Sequence, residues 1–304
     1  MHYLIIGSGG TGGTLGYYLT LHHKDVTLIA RNKHLGVMQE KGLTLEKLWD
    51  HSTHTIPVKA CTMDDYQEKA DVIFVCVKGY SIDECIPFIK KASHEKTIII
   101  PILNIYDTGG MMAKQLPDLT VLDGCIYVSA NIKEPGVLLQ HGPILRVVYG
   151  MRNHEITEPL KLIEKDLKDS EIEPILSTHI QRDTLEKFSY VSPIGALGLY
   201  LNAKAGDFQK QGEPREMFKT MIQEIMTLAK TMGYPFDDDY VKINLEILKG
   251  LPASATTSMQ KDVYAGHLSE IDGLVYHVVE LSKEYGITLP LYQKVAEKLK
   301  EEGL

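Results

Sequence analysis

A chain of 304 residues exceeds the usual size of one domain, and 44% hydrophobic with 24% charged residues describes a globular protein of two domains. Its net charge of -8 argues against nucleic acid or an anionic membrane as partner. No apolar run reaches the roughly 18 residues that read as a membrane span. The four cysteines, Cys61, Cys76, Cys85 and Cys125, lack both CxxC and zinc-ligand spacing, so no metal site and a reducing, cytoplasmic compartment are expected.

The opening Met-His-Tyr-Leu-Ile-Ile-Gly lacks the basic segment and long apolar core of a signal peptide. It reads as a strand over residues 3–6 running into a glycine loop. A helix is predicted over 11–23 and a second strand over 26–30. The continuous apolar runs at 72–77 and 97–103, rich in Val and Ile, suit strands covered on both faces, with a helix over 83–92 between them. Shorter strands are predicted over 120–128 and 145–149, with a turn at 140–143, Gln-His-Gly-Pro, between them. This alternation predicts an α/β fold, a Rossmann-type doubly wound parallel sheet occupying residues 1–178.

The second half changes period. Met217, Met221, Ile222, Ile225, Leu228 and Ala229 recur at helical spacing, and Gly233 and Pro235 then stop the helix. Asp237, Asp238 and Asp239 precede a helix predicted over 240–249. Acidic residues gather at helix N-termini through the dipole and free N–H groups, so capping is expected there rather than metal binding. Further helices are predicted over 271–285 and 291–302, making residues 179–304 an all-helical domain.

Gly7-Ser8-Gly9-Gly10-Thr11-Gly12 matches G-x-G-x-x-G between a strand and a helix, the context in which the pattern binds a dinucleotide. Gly7 permits the turn, Gly9 the approach of a pyrophosphate, and Gly12 close helix packing. The helix N-terminus would receive the phosphates. NAD-specific proteins place Asp or Glu after the second strand, about 20 residues on. Here Arg31 follows, and a guanidinium can hold the 2′-phosphate of NADP. NADP(H) is the expected cofactor.

The glycine loop with Ile29-Ala30-Arg31, Val75-Cys-Val-Lys78 and Ile102-Leu-Asn104 resembles the first half of the ketopantoate (2-dehydropantoate) 2-reductases. Glu186-Lys187-Phe188, Ser258-Met-Gln-Lys-Asp262, Glu270-Ile-Asp272 and Gly286-Ile-Thr-Leu-Pro290 are similar to its second half, in the same order. The resemblance implies a Rossmann domain, a helical domain and an active site in the cleft between them. It further implies NADPH-dependent reduction of ketopantoate to pantoate, a step of pantothenate biosynthesis. Lys187 would protonate the carbonyl oxygen, and Glu270 would hydrogen-bond that oxygen or the lysine. Reduction of a ketone builds negative charge on oxygen, which is why a cation and proton donor are needed. Ser258 would bind the substrate carboxylate, Lys78 the cofactor, and Asn104 both nicotinamide ribose and substrate. Asp262 would position Ser258 or Lys187, or face solvent. Ser269 is expected to cap the helix that begins at Glu270.

The chain departs from the family pattern at several places. Val191 and Gly195 stand where it has asparagine, Ile105 where it has glycine, and Asp272-Gly-Leu-Val275 lacks the Asn-Gly pair that follows Glu-Ile-Asp. Ser192 is the expected replacement for the lost amide donor at the substrate. Polar groups that no longer match a ligand change discrimination steeply. A reductase of another 2-oxo acid or imine therefore stands beside ketopantoate reduction, as does a non-enzymatic NADP(H)-binding regulator. Helical C-terminal domains of this kind can form a homodimer, which the sequence leaves open.

Overall fold

The computed structural model describes residues 1–304, and the chain divides into two compact units. The first comprises Met1–Leu103 and Asp107–Ile180; the second comprises Asn104–Tyr106 and Gln181–Leu304.

In chain order the first unit runs β1 (His2–Ile6), α1 (Gly10–Leu21), β2 (Asp25–Ile29) and α2 (Asn32–Lys41), followed by the hairpin β3 (Leu43–Lys47) and β4 (Ser52–Ile56). Next come β5 (Lys59–Cys61), β6 (Ala70–Val75), α3 (Ile82–Ala92), β7 (Ser93–Pro101), α4 (Thr108–Gln115) and β8 (Thr120–Val121). The long pair β9 (Asp123–Glu134) and β10 (Val137–Gly150), then α5 (Glu158–Asp169) and β11 (Glu173–Leu176), complete it.

Six strands form a parallel sheet in the order β5-β2-β1-β6-β7-β8. The apolar runs are continuous because both faces are covered. In β1, Tyr3 and Ile5 enter one core cluster while Leu4 and Ile6 enter the other. In β6, Val72 and Phe74 share the first cluster while Ile73 and Val75 share the second. Each such buried side chain contributes about 1.5–3 kcal/mol relative to exposure. The order reverses direction between β1 and β6, so the loops after those strands flank a topological switch point, where open α/β sheets bind ligands.

A second, mixed sheet runs β11-β10-β3-β4, with β9 antiparallel to β10. Here the structure differs from the sequence expectation. Residues 140–143 lie inside β10 rather than in a turn, because β9 pairs with β10 on both sides of them. The Gly-Pro pair produces only a register shift between Gln140 and Leu145. The Gln140 side chain is buried there, accepting from the Tyr18 hydroxyl at 3.2 Å and donating to the Gly142 carbonyl at 3.0 Å.

The second unit is helical: α6 (Ile180–Tyr200), α7 (Ala205–Gln209), α8 (Glu213–Thr231), α9 (Tyr240–Lys249), α10 (Ser258–Tyr264), α11 (His277–Glu284) and α12 (Pro290–Glu301). Met221, Ile222, Ile225, Leu228 and Ala229 of α8 are buried in its core, as their spacing requires. Gly233, at φ +90°, lies just beyond the end of α8. The aspartate triplet separates by role: Asp239 caps α9 by accepting from the Lys242 N–H, while Asp237 pairs with Arg182. Glu224 of α8 accepts from the backbone N–H groups of Leu291 and Tyr292 at 2.8 and 2.9 Å, capping α12 from a distance in sequence.

The helix expected over 271–285 opens with a π-helical turn, Asp272–Tyr276, before becoming α11. The residue at its N-cap position is Ile271, which offers no side-chain cap. Asn104, expected within the first domain, belongs to the second unit. The reason is Tyr106, whose side chain is 4% exposed and packs on the Phe188 ring at 6.3 Å in the helical core.

Candidate active site

The first group of candidate residues lies at the carboxyl ends of β1, β2 and β6. Gly7 has φ +96°, and a Cβ there would stand 3.0 Å from the Cys76 carbonyl, so both the conformation and the approach demand glycine. Ser8 is buried and bonds twice to the Ile29 carbonyl at the end of β2, through its N–H at 3.2 Å and its hydroxyl at 2.8 Å. A Cβ on Gly12 would run into the Gly7 carbonyl and Cys76 Cβ, so glycine lets α1 lie close on the strand ends.

Gly9 is different. It precedes α1 in an extended conformation any residue can adopt, and a Cβ there would meet nothing within 4 Å. The absence of a side chain serves no internal contact, leaving open space before a helix N-terminus that no side chain caps and no acidic residue crowds. That geometry fits a pyrophosphate. Gly10 packs under the Ala130 carbonyl of β9, and Thr11 begins the helical face behind it.

Arg31 is exposed at the N-terminus of α2, just past β2, and Asn32 takes φ +56° beside it. The Arg31 side chain makes no capping bond to α2. Lys78, half-buried, stands beyond β6 at the head of a single 3-10 turn, Gly79–Ser81.

Two features of this unit have no signature in the sequence. His34 accepts the Gly136 N–H on Nδ1 at 2.9 Å, which places its proton on Nε2, donating to the Ser8 carbonyl at 3.0 Å. A neutral imidazole thus braces the glycine loop, and burial lowers its pKa below the ordinary histidine value. The other feature is an Arg152 guanidinium shared by Asp107 at 2.7 Å and Asp123 at 2.6 Å. Asp107, in the left-handed region at φ +59°, starts α4 where the chain re-enters the first unit. Burial pushes the Asp123 carboxyl up to about 6, with Arg152 opposing that shift. Both sets pair residues distant in sequence, so neither periodicity nor motif spacing exposes them.

The second group belongs to the helical unit. Lys187, on α6, donates from Nζ to the Asn104 side-chain oxygen at 2.8 Å. The two residues come together because Asn104–Tyr106 is part of this unit. Glu270 is 6% exposed and lies two residues before the π-helical segment begins at Asp272. Ser258 is exposed at the first position of α10, where Thr257 and Gln260 form a capping box. Asp262 is half-buried on the same helix.

Ser192 corrects the sequence expectation. It is fully buried, and its hydroxyl donates to the Leu274 carbonyl at 2.5 Å and shares a 2.7 Å bond with the Tyr292 hydroxyl. It joins α6 to the π-helical turn and α12, so its polar atom is committed to helix packing rather than to a substrate. Its neighbours also differ from what a polar site would need. Met259 has its methyl 2.9 Å from where a Gly195 Cβ would be, and Ile105 covers Gly273 in the π-helical turn.

Comparison with known proteins matches both halves of the chain to one family. The family model described as Ketopantoate reductase PanE/ApbA matches residues 3–154, and that described as Ketopantoate reductase PanE/ApbA C terminal matches 179–302. The uncharacterized oxidoreductase YkpB of Bacillus subtilis (strain 168) is 24% identical, over 97% of this chain and 96% of its own. A 2-dehydropantoate 2-reductase of Aquifex aeolicus (strain VF5) is 24% identical, over 100% of this chain and 97% of its own. Among solved structures, a ternary structure of D-mandelate dehydrogenase with NADH and anilino(oxo)acetate aligns with a TM-score of 0.87 at 19% identity. It covers 98% of this chain and 96% of its own. No helix is long and apolar enough to cross a membrane.

Proposed function

Because the chain belongs to the ketopantoate reductase family, we propose that it reduces a 2-oxo acid to the 2-hydroxy acid with NADPH, with ketopantoate as the first candidate substrate. The observation that carries this reading is the 2.8 Å bond from Lys187 Nζ to Asn104. It holds an ammonium in a defined place, in the same unit as a buried carboxyl-bearing residue, Glu270.

The residues present fit a dinucleotide. The open space at Gly9 and the uncapped start of α1 suit a pyrophosphate. Arg31 suits a 2′-phosphate, with no acidic residue between it and β2 to select a ribose hydroxyl. Lys78 follows the strand beside β1. When bound, NADPH supplies a hydride to the ketone carbon.

The chain's own residues then manage charge. As the carbonyl carbon gains its new C–H bond, the π pair moves onto oxygen, and Lys187 gives that oxygen a proton while its positive charge stabilises the developing anion. Asn104 holds the ammonium in position, and Glu270 accepts a hydrogen bond from the lysine or from the protonated oxygen. Ser258 donates to the substrate carboxylate. Lys187 regains its proton from solvent after release.

The commitment of Ser192 to Leu274 and Tyr292 favours a second reading, a sibling reductase for a 2-oxo acid other than ketopantoate. The D-mandelate dehydrogenase that shares this fold makes such a substrate chemically reasonable. The test is NADPH oxidation with ketopantoate, compared with Lys187→Ala and with NADH. Rapid oxidation that the variant loses and NADH supports weakly sustains the proposal. A protein that binds NADPH but oxidises it with no 2-oxo acid sinks it in favour of a regulatory role.

A further inference from the structure

We infer that Ile105 and Val191 are specificity-determining residues that select a 2-oxo acid whose carbon chain is apolar beyond the carbonyl. The inference rests on the proposed reduction of a 2-oxo acid and names its substrate class.

The polar centre is the Lys187–Asn104 pair. From Lys187, residues at i+4 and i+8 lie on the same face of α6. They are Val191, half-buried against the helical core, and Gly195, which is buried. Gly195 contributes no side chain, and the Met259 methyl lies 2.9 Å from where its Cβ would be. Met259 is itself 1% exposed, so this end is closed by packed hydrocarbon.

Ile105 follows Asn104 directly in the chain. Its half-buried side chain rests on Gly273, where any Cβ would collide with it. The Ser192 hydroxyl, next to Val191 on α6, is bonded to Leu274 and Tyr292.

The consequence follows from desolvation. A substrate hydroxyl placed along Ile105 and Val191 leaves water and meets methyl groups, which costs free energy without a compensating bond. A hydrocarbon chain loses nothing there. The discrimination is bounded, since an apolar pocket rejects an isostere that adds one hydroxyl by about a hundredfold at most.

The test compares ketopantoate, which is 4-hydroxy-3,3-dimethyl-2-oxobutanoate, with 3,3-dimethyl-2-oxobutanoate, which lacks only that hydroxyl. With the full chain and saturating NADPH, kcat/KM for the unhydroxylated acid is expected to exceed that for ketopantoate by about ten- to a hundredfold. Val191→Thr keeps shape and Ile105→Thr keeps the branched Cβ, each adding a hydroxyl, and the double variant is expected to reduce that ratio at least tenfold. A wild type that prefers ketopantoate overturns the inference while sustaining 2-oxo acid reduction. A folded double variant with an unchanged ratio overturns the assignment to these two residues. Turnover of neither acid, nor of any other 2-oxo acid, overturns the proposed reduction and this inference with it.

Discussion

Lys187 and Asn104, 83 positions apart in the chain, meet at 2.8 Å through an ammonium and an amide oxygen. Asn104 can take part because three residues of the segment after β7 are built into the helical unit. The bond uses the oxygen of the amide and restrains the lysine at its tip.

Replacing Lys187 by alanine is therefore expected to lower kcat by about 10²–10⁴, the range for loss of a positioned general acid. NADPH affinity, read by fluorescence titration, should change less than threefold or so, since the dinucleotide residues are left intact. Asn104→Ala should lower kcat about ten- to a hundredfold, the worth of one hydrogen bond to a charged group. A Lys187→Ala protein with wild-type kcat would remove the lysine from the chemistry.

Glycines of one loop should fail in different ways. Gly9→Ala meets no atom within 4 Å and keeps an allowed conformation, so the melting temperature should hold or rise slightly. NADPH should nevertheless bind at least about tenfold more weakly, because the added methyl stands before the start of α1. Gly12→Ala drives a methyl into the Gly7 carbonyl and Cys76, backbone and packed atoms that cannot swing away. It should lose about 1–3 kcal/mol of stability by denaturant titration. Equal destabilisation by both would show that Gly9 serves the fold alone.

Arg31→Ala should raise the Kd for NADPH about ten- to a hundredfold, corresponding to one charge-assisted bond, while leaving that for NADH nearly unchanged. Isothermal titration with both dinucleotides checks this. A parallel loss for the two would move the arginine from the 2′-phosphate to some shared part of the ligand.

Asp123 makes a prediction about acid and base. Its folded pKa, about 6, stands above the ordinary 3.8, so the folded state holds this proton more tightly than the unfolded one. The contribution to stability is fully present below pH 3.8 and is lost as pH rises through about 6. Asp123→Asn should remove that component, so the difference in unfolding free energy between variant and wild type should grow by on the order of 2–3 kcal/mol between pH 4 and 7. An unchanged difference across that window would show that Arg152 keeps Asp123 ionised throughout.

Legibility from sequence followed the chemistry of each region. Strands β1, β6 and β7 were plain because coverage on both faces writes an unbroken apolar run. The helix α8 was plain because one buried face writes a period of three and four. By contrast β4, Ser-Thr-His-Thr-Ile, is largely exposed and carries no such pattern. The lysine and the glutamate were candidates only through the family resemblance, whereas the residue pattern itself identified the glycine loop as a candidate. It misjudged Ser192, whose hydroxyl is claimed by a carbonyl 82 residues away, because a serine looks the same whether it faces a ligand or a neighbouring helix. The His34 brace and the Arg152 pairings were hidden for the same reason.

The placement of Asn104–Tyr106 also bears on how the gene can be divided. A fragment beginning at residue 181 carries every long helix of the second unit yet lacks Tyr106, and so has a hole beside Phe188. The complementary fragment would carry an aromatic side chain with its proper partner missing. Recombination near the visible boundary therefore does not yield two interchangeable cassettes: a swap of the helical half between relatives must bring along three residues from the middle of the other half.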